Sequence, residues 1–273
     1  MDVNGIGMIG VGNMASAIAK AIVKAVPEES LYLANRTASK IEGLVKELQA
    51  KQVVMESIEQ EMLQKCNMIF IGVKPKDIKS LFIKLADGLD TPHTITWISM
   101  ASNVSLSELT SLTPSHHRWL RIMPNTPVEV GEGFTSYCYQ TGDFPEEVLE
   151  RFKQLMSASG TLSEIPEVLF DAASGLAGCS PAFIYQLIEA MSDAGVYYGL
   201  GREQSIQMAA QAVKGAASMV LDTNYHPAQL KDAVTSPGGT TIAGVNTLEA
   251  EGFRSAIITG VSASIEKTRE LQQ

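Results

Sequence analysis

Cysteine is scarce: Cys66, Cys138 and Cys179 are the only three in 273 residues, lie far apart and form no C-x-x-C pair. That pattern excludes a disulfide-stapled scaffold and a zinc knuckle, and it fits the reducing cytoplasm. Basic residues are also short. With 21 Lys+Arg against 30 Asp+Glu the net charge is −9 at pH 7, so the chain lacks the positive field that nucleic acid or an anionic membrane surface requires. No run approaches about 18 consecutive apolar residues, so no bilayer-spanning segment is expected. The N-terminus Met1-Asp2-Val3-Asn4 is acidic and passes directly into strand-like sequence, unlike a signal peptide. The four histidines, His93, His116, His117 and His226, show no metal-ligand spacing. There is no G-x-S-x-G elbow, no H-E-x-x-H and no Walker lysine motif, which removes three large enzyme classes.

What is present is apolar bulk. Hydrophobic residues make up 45% and charged residues 19%, enough to build a packed core. The length suggests two domains, since single cores run about 100–200 residues.

The first half alternates short apolar runs with helical spacing. Strands are expected at 3–9, 31–34, 53–55, 68–73 and 94–98, and helices at 13–26, 37–50, 77–86 and 105–112. Strand, helix, strand at this spacing means βαβ units around a parallel sheet. After about residue 145 a helix at 145–157 and a last strand at 161–165 are followed by helical patterns alone, at 181–199, 203–221, 240–251 and 253–271. Within 181–198 the polar residues reduce to Gln186, Glu189, Ser192 and Asp193. A helix apolar nearly all round must be buried nearly all round. Two burials satisfy it: a subunit interface, or the centre of a monomeric bundle.

Directly after the first strand, Gly7-Met-Ile-Gly10-Val-Gly12-Asn-Met-Ala15 places G-x-G-x-x-A at the mouth of the first helix. Gly10 permits the tight turn, Gly12 lets backbone approach a pyrophosphate, and Ala15 keeps helix and strand close. The strand before and helix after supply the context that a bare glycine motif lacks. An NAD site wants a carboxylate at the end of the second strand. Here the run is Leu33-Ala34-Asn35-Arg36-Thr37 and the next acid is Glu42. Arg36 suits a ribose 2′-phosphate, with Asn35 and Thr37 as neutral donors, so the pattern favours NADPH over a weaker NADH. The alternative is a solvated surface arginine.

In the C-terminal half, Ser236-Pro-Gly238-Gly239-Thr240-Thr241 opens a helix. Free N–H groups and hydroxyls concentrated there suit a small carboxylate, unless the run is an ordinary capped turn. Cys179-Ser180 could suggest a nucleophile, but Ser180 before Pro181 reads better as a helix N-cap.

Several of these motifs together resemble the pyrroline-5-carboxylate reductase family: Ile9-Gly-Val-Gly-Asn-Met-Ala15, Val73-Lys74-Pro75, Met123-Pro-Asn-Thr-Pro127, Gln229-Leu-Lys-Asp232, Ser236-Pro-Gly-Gly-Thr-Thr241 and Gly252-Phe-Arg-Ser255. The resemblance spans essentially the whole chain. It implies a Rossmann-type doubly wound parallel sheet over 1–162 that binds NADP, followed by an all-α substrate-binding and dimerisation domain over 163–273. It also implies a homodimer, in many members assembled further into decamers of five dimers. The implied cofactor contacts are Gly10, Gly12, Asn13 and Met14 for the pyrophosphate and Asn35, Arg36 and Thr37 for the 2′-phosphate. Val73, Lys74, Pro75 and Ala101 would border the nicotinamide. The substrate carboxylate would lie against Ser236, Gly238, Gly239, Thr240 and Thr241, with the Thr241 hydroxyl at the ring nitrogen as the catalytic contact. The chain departs from the family at Gly178-Cys-Ser-Pro-Ala182, at Ala233 and at Asn224.

The chemistry agrees with the resemblance. Carbonyl reduction needs a proton donor beside the hydride acceptor, and hydroxyacid dehydrogenases of similar layout carry a lysine on the first helices of their second domain. From Gly175 to Gly199 this chain has no Lys, Arg or His. A cyclic imine can arrive already protonated, needing alignment and a partner for its nitrogen. A non-enzymatic NADP-binding regulator is the remaining alternative, and measurable turnover would dispose of it.

Overall fold

The computed structural model describes residues 3–53, 58–140, 142 and 144–271. Among them the chain runs β1 (Gly5–Ile9), α1 (Asn13–Ala25), β2 (Leu31–Ala34), α2 (Glu42–Leu48), β3 (Lys51–Val53), α3 (Ile58–Lys65) and β4 (Cys66–Ile71). It continues through α4 (Pro75–Leu85), β5 (Thr96–Ser99), α5 (Leu106–Thr110), β6 (Arg118–Met123), β7 (Gly133–Tyr139), α6 (Glu146–Met156) and β8 (Gly160–Glu164). The remainder is helical: α7 (Phe170–Ala173), α8 (Ser180–Tyr197), α9 (Arg202–Thr223), α10 (Pro227–Ala233), α11 (Thr240–Ala250) and α12 (Phe253–Glu270).

The strands form one sheet in the order β3-β2-β1-β4-β5-β6-β7-β8. All neighbours are parallel except β6 and β7. The order reverses between β1 and β4, the switch point at which open α/β sheets place ligands. Alternate strand residues feed two apolar layers, as the two-residue period requires. Ile9, Ile69, Ile71, Trp97 and Trp119 face α3 and α4. Met8, Met68, Phe70, Ile98 and Leu120 face α1 and α6. With both faces covered, Met68–Ile71 reads as an unbroken apolar run. Phe82 of α4 packs edge-on to Trp97 at 4.9 Å between centroids, and Trp97 stacks on Trp119 at 5.9 Å.

Several boundaries differ from expectation. The helix expected over 37–50 is broken into a 3₁₀ turn, Ala38–Lys40, and α2. The third strand is Lys51–Val53 rather than 53–55, and positions 54 and 55 lie outside the described residues. Ser180 is not an N-cap. It is the first residue of α8, and Cys179 before it has helical angles (φ −89°, ψ −27°) with no side-chain cap, because a π-helical turn, Ser174–Gly178, feeds the chain in already coiled.

The chain divides into two compact units, Met1–Gly178 with Ile265–Gln273, and Cys179–Ser264. In the second, α8 and α9 form a hairpin in which Arg202 Nη1 donates to Ser192 Oγ at 2.8 Å and Asp193 Oδ1 at 2.6 Å. Among the described residues of that unit only Ser192, Ser205 and Ala209 are buried. Ile184, Tyr185, Met191 and Tyr197 of α8 all stand exposed. The monomeric-bundle alternative therefore fails, since the single chain leaves the apolar helix uncovered. By length and composition the run Glu167–Tyr197 could cross a membrane, although it carries four carboxylates, Glu167, Asp171, Glu189 and Asp193.

Candidate active site

Two loops meet at the switch point. Gly10 takes φ +83°, and a Cβ there would lie 2.5 Å from Val73 Cγ1 and 2.7 Å from Val73 N. A Cβ on Gly72 would lie 2.5 Å from Gly10 O. Only glycine fits this crossing of backbones. Gly12 differs: a Cβ built there meets nothing within 4 Å, so its lack of a side chain leaves room for a ligand. Gly12 is also the N-cap of α1 and offers no side-chain cap. The first-turn N–H groups of Asn13, Met14 and Ala15 therefore remain available to an anion, aided by the helix dipole.

On the other loop Lys74 is the N-cap of α4 and Pro75 its first residue, where a missing N–H costs nothing. Ala101 follows β5, where its N–H donates to Ser99 Oγ at 3.2 Å.

A cleft of about 300 Å³ opens here. Gly10, Gly12, Asn35, Arg36, Val73 and Lys74 line it, so six expected cofactor residues come together. Asn13, Met14, Thr37, Pro75 and Ala101 are not among its lining residues. Asn35 is half-exposed and its side-chain amide donates to Thr37 O at 3.4 Å. Arg36 is exposed, and no ion pair to it is found among the described residues.

Sequence reasoning missed Lys40, Gly72, Asp77, Ser80, Leu81 and Lys84, which also line the cleft. The last four sit at i, i+3, i+4 and i+7 of α4, a spacing that marks one helix face.

In the helical unit, Gly238 takes φ +69° and a Cβ on Gly239 would press within 2.5 Å of Ser236 Oγ. Gly239 N donates back to Ser236 O at 3.0 Å, which closes the turn. Gly239 then caps α11 without a side chain, leaving the N–H groups of Thr240 and Thr241 unsatisfied within the helix. Ser236, Thr240 and Thr241 are exposed. The turn is uncapped rather than an ordinary capped one.

Asn125 of the Met123–Pro127 motif and Arg121 of β6 both serve structure. Asn125, buried, accepts from Phe134 N at 2.8 Å and donates to Ala177 O at 3.0 Å. It ties the chain after β6 to β7 and to the turn before α8. Arg121, also buried, pairs with Glu167 Oε1 at 3.1 Å and lies over the Phe170 ring, while Glu167 also accepts from Leu106 N at 2.6 Å. Cys66 and Cys138 are buried free thiols, and burial pushes Cys138 up to about 12, so both are inert as nucleophiles.

Comparisons with known proteins follow the same outline. Residues 167–271 match the family profile described as pyrroline-5-carboxylate reductase dimerisation, and 5–101 match one described as NADP oxidoreductase, coenzyme F420-dependent. The chain is 37% identical to a pyrroline-5-carboxylate reductase of Methanosarcina acetivorans, covering 99% of both chains. It is 38% identical to that of Synechocystis, covering 97% of each. Among solved structures it resembles the NADP-bound pyrroline carboxylate reductase of Plasmodium falciparum, with a TM-score of 0.85, 30% identity and 100% of each chain covered. For the Coxiella burnetii reductase the TM-score is 0.89 with 27% identity, again over 100% of each chain.

Proposed function

The chain belongs to the pyrroline-5-carboxylate reductase family, and from that premise we propose how its residues share the work. The enzyme is an NADP-linked oxidoreductase that reduces the cyclic imine 1-pyrroline-5-carboxylate to L-proline, the last step of proline biosynthesis. The observation that carries the assignment of roles is the uncapped glycine-rich turn at each of two helix N-termini. One opens α1 beside Arg36 and the other opens α11 at Thr241.

The cleft residues fit the dinucleotide. Open space at Gly12 and free first-turn N–H groups of α1 suit the pyrophosphate, and Arg36 suits the 2′-phosphate. Val73, Lys74, Pro75 and Ala101 border the nicotinamide half, which supplies the hydride when bound. The backbone from Ser236 to Thr241 holds the substrate carboxylate. The Thr241 hydroxyl oxygen accepts from the protonated ring nitrogen, orienting the C=N bond and keeping the proton on nitrogen as the ring becomes a secondary amine. No general acid is needed, because the iminium brings its own proton.

The helices of 163–273 form the dimerisation region and those of 1–162 with the sheet form the cofactor region. The second copy of the chain in a homodimer covers the exposed apolar faces of α8, α9 and α12, and dimers assemble further into decamers. Free buried thiols support residence in the cytoplasm. Oxidation of NADPH with and without pyrroline-5-carboxylate tests the reading. Imine-dependent oxidation is expected, with higher kcat/KM for NADPH than NADH, and NADPH loss that ignores the imine would sink it.

A further inference from the structure

The face of α4 turned to the cofactor cleft carries Asp77 near its start and Lys84 in its last turn. At 1.5 Å per residue the two are about 10 Å apart along the axis, the scale of an adenosine unit. Along the same cleft Arg36 and Lys40 arrive from the segment after β2. Arg36, Lys40 and Lys84 are all exposed, and among the described residues none has an ion-pair partner. Some exposed lysines elsewhere reach a carboxylate, Lys20 with Glu47 at 3.0 Å and Lys65 with Glu61 at 3.1 Å. Unpaired cations sharing one cleft repel each other, and a bound anion relieves that repulsion. Asp77, the one carboxylate of the lining, sits in the first turn of α4, where the helix dipole meets its charge.

A ribose 2′-phosphate carries close to two negative charges at neutral pH, more than one arginine neutralises. We propose that Lys40 and Lys84 join Arg36 in a three-cation grip on the adenosine 2′-phosphate, with Lys84 reaching it from α4. Selectivity for NADP over NAD then resides on two elements of the cleft rather than on the β2 loop alone. The inference rests on the cofactor orientation proposed above.

A lysine in the last turn of a helix also suits the helix dipole, so the test must separate binding from stability. Titration calorimetry on the protein compares adenosine 5′-monophosphate with its 2′-phosphorylated counterpart, 2′,5′-ADP. In the wild type 2′,5′-ADP should bind more tightly. Lys84→Ala and Lys40→Ala should each shrink the ratio of the two dissociation constants about fivefold, as suits one partly exposed ion pair. Lys84→Arg should restore the ratio, because it keeps the charge. A Lys84 that merely stabilises α4 would lower the melting temperature and leave the ratio within about twofold of wild type. That result overturns the grip and leaves the Arg36 reading standing. No preference in the wild type itself would overturn both.

Discussion

At the residue scale, Thr241 carries the sharpest expectation. Its hydroxyl is exposed at the first turn of an uncapped helix, whereas the carboxylate-binding N–H groups around it are backbone and survive substitution. Thr241→Ala should lower kcat roughly 10–100-fold, the loss of one hydrogen bond of ~1.5–3 kcal/mol to a charged group. Thr241→Ser should recover most of the rate. Near-normal kcat in Thr241→Ala would remove the hydroxyl from the chemistry. Arg36→Ala should cost a similar ~1.5–3 kcal/mol with NADPH and little with NADH. Equal losses with both would detach Arg36 from the 2′-phosphate. His117 offers a pH test. Ile95 N donates to its Nδ1 at 3.0 Å and its Nε2 lies 2.8 Å from Leu89 O, a pattern met by the neutral ring with its proton on Nε2. Burial holds its pKa below the usual 6.5, so the unfolded chain takes up the proton first. The stability it contributes is present above pH 6.5 and is lost as pH falls below that value. Melting temperature should fall as pH drops below 6.5, and His117→Gln should flatten that decline. Glycines and Arg36 could be recognised from sequence because their chemistry is unusual at those positions. Lys40 and Lys84 could not, since exposed lysines are ordinary and only the cleft makes them neighbours.

At the scale of elements, β1, β2, β4 and β5, which sequence reasoning found, are largely apolar and buried. That reasoning missed β6 and β7, where Arg121 is buried by an ion pair and Thr135 and Ser136 are buried among the strand residues. Their burial comes from tertiary partners, which local pattern does not carry. It also missed α3 and the short α10, the latter opened by His226, whose ring accepts from Ala228 N at 3.2 Å. The π-helical turn before α8 holds a tighter constraint. A Cβ on Gly175 would lie 2.3 Å from Ile265 Cγ1 and 3.1 Å from Ile265 N. Backbone is involved, so little can give. Gly175→Ala should destabilise by about 1–3 kcal/mol, the usual cost of overpacking, read as a lower midpoint in urea. An unchanged midpoint would mean that α12 shifts freely there. Met191 on α8 is exposed in the single chain, so Met191→Lys should leave the helix folded. It should dissociate the assembly, because the charge would be buried unpaired against a partner subunit. Circular dichroism and sedimentation together check this.

For the whole molecule, the same exposed faces decide the state in solution. Tyr197, Tyr198, Met208, Met219, Ile257 and Ile258 all stand open in one unit, the kind of exposed apolar side chains that a protein–protein interface covers. Sedimentation at low micromolar concentration should give no 29.3 kDa species. A clean monomer would refute the dimer. The two-part layout was readable from where strand patterns stop, but the return of the C-terminus was not. Residues 265–271 belong with the sheet unit although the chain between Cys179 and Ser264 forms its own. This has a consequence during synthesis. As the polypeptide leaves the ribosome, the sheet unit is made first but waits for its last helical turns. The whole intervening unit must be translated before Ile265 can close against Gly175, a delay of roughly 4–17 s at about 5–20 residues per second. The nascent chain therefore completes its first-made part only after the second unit has been translated.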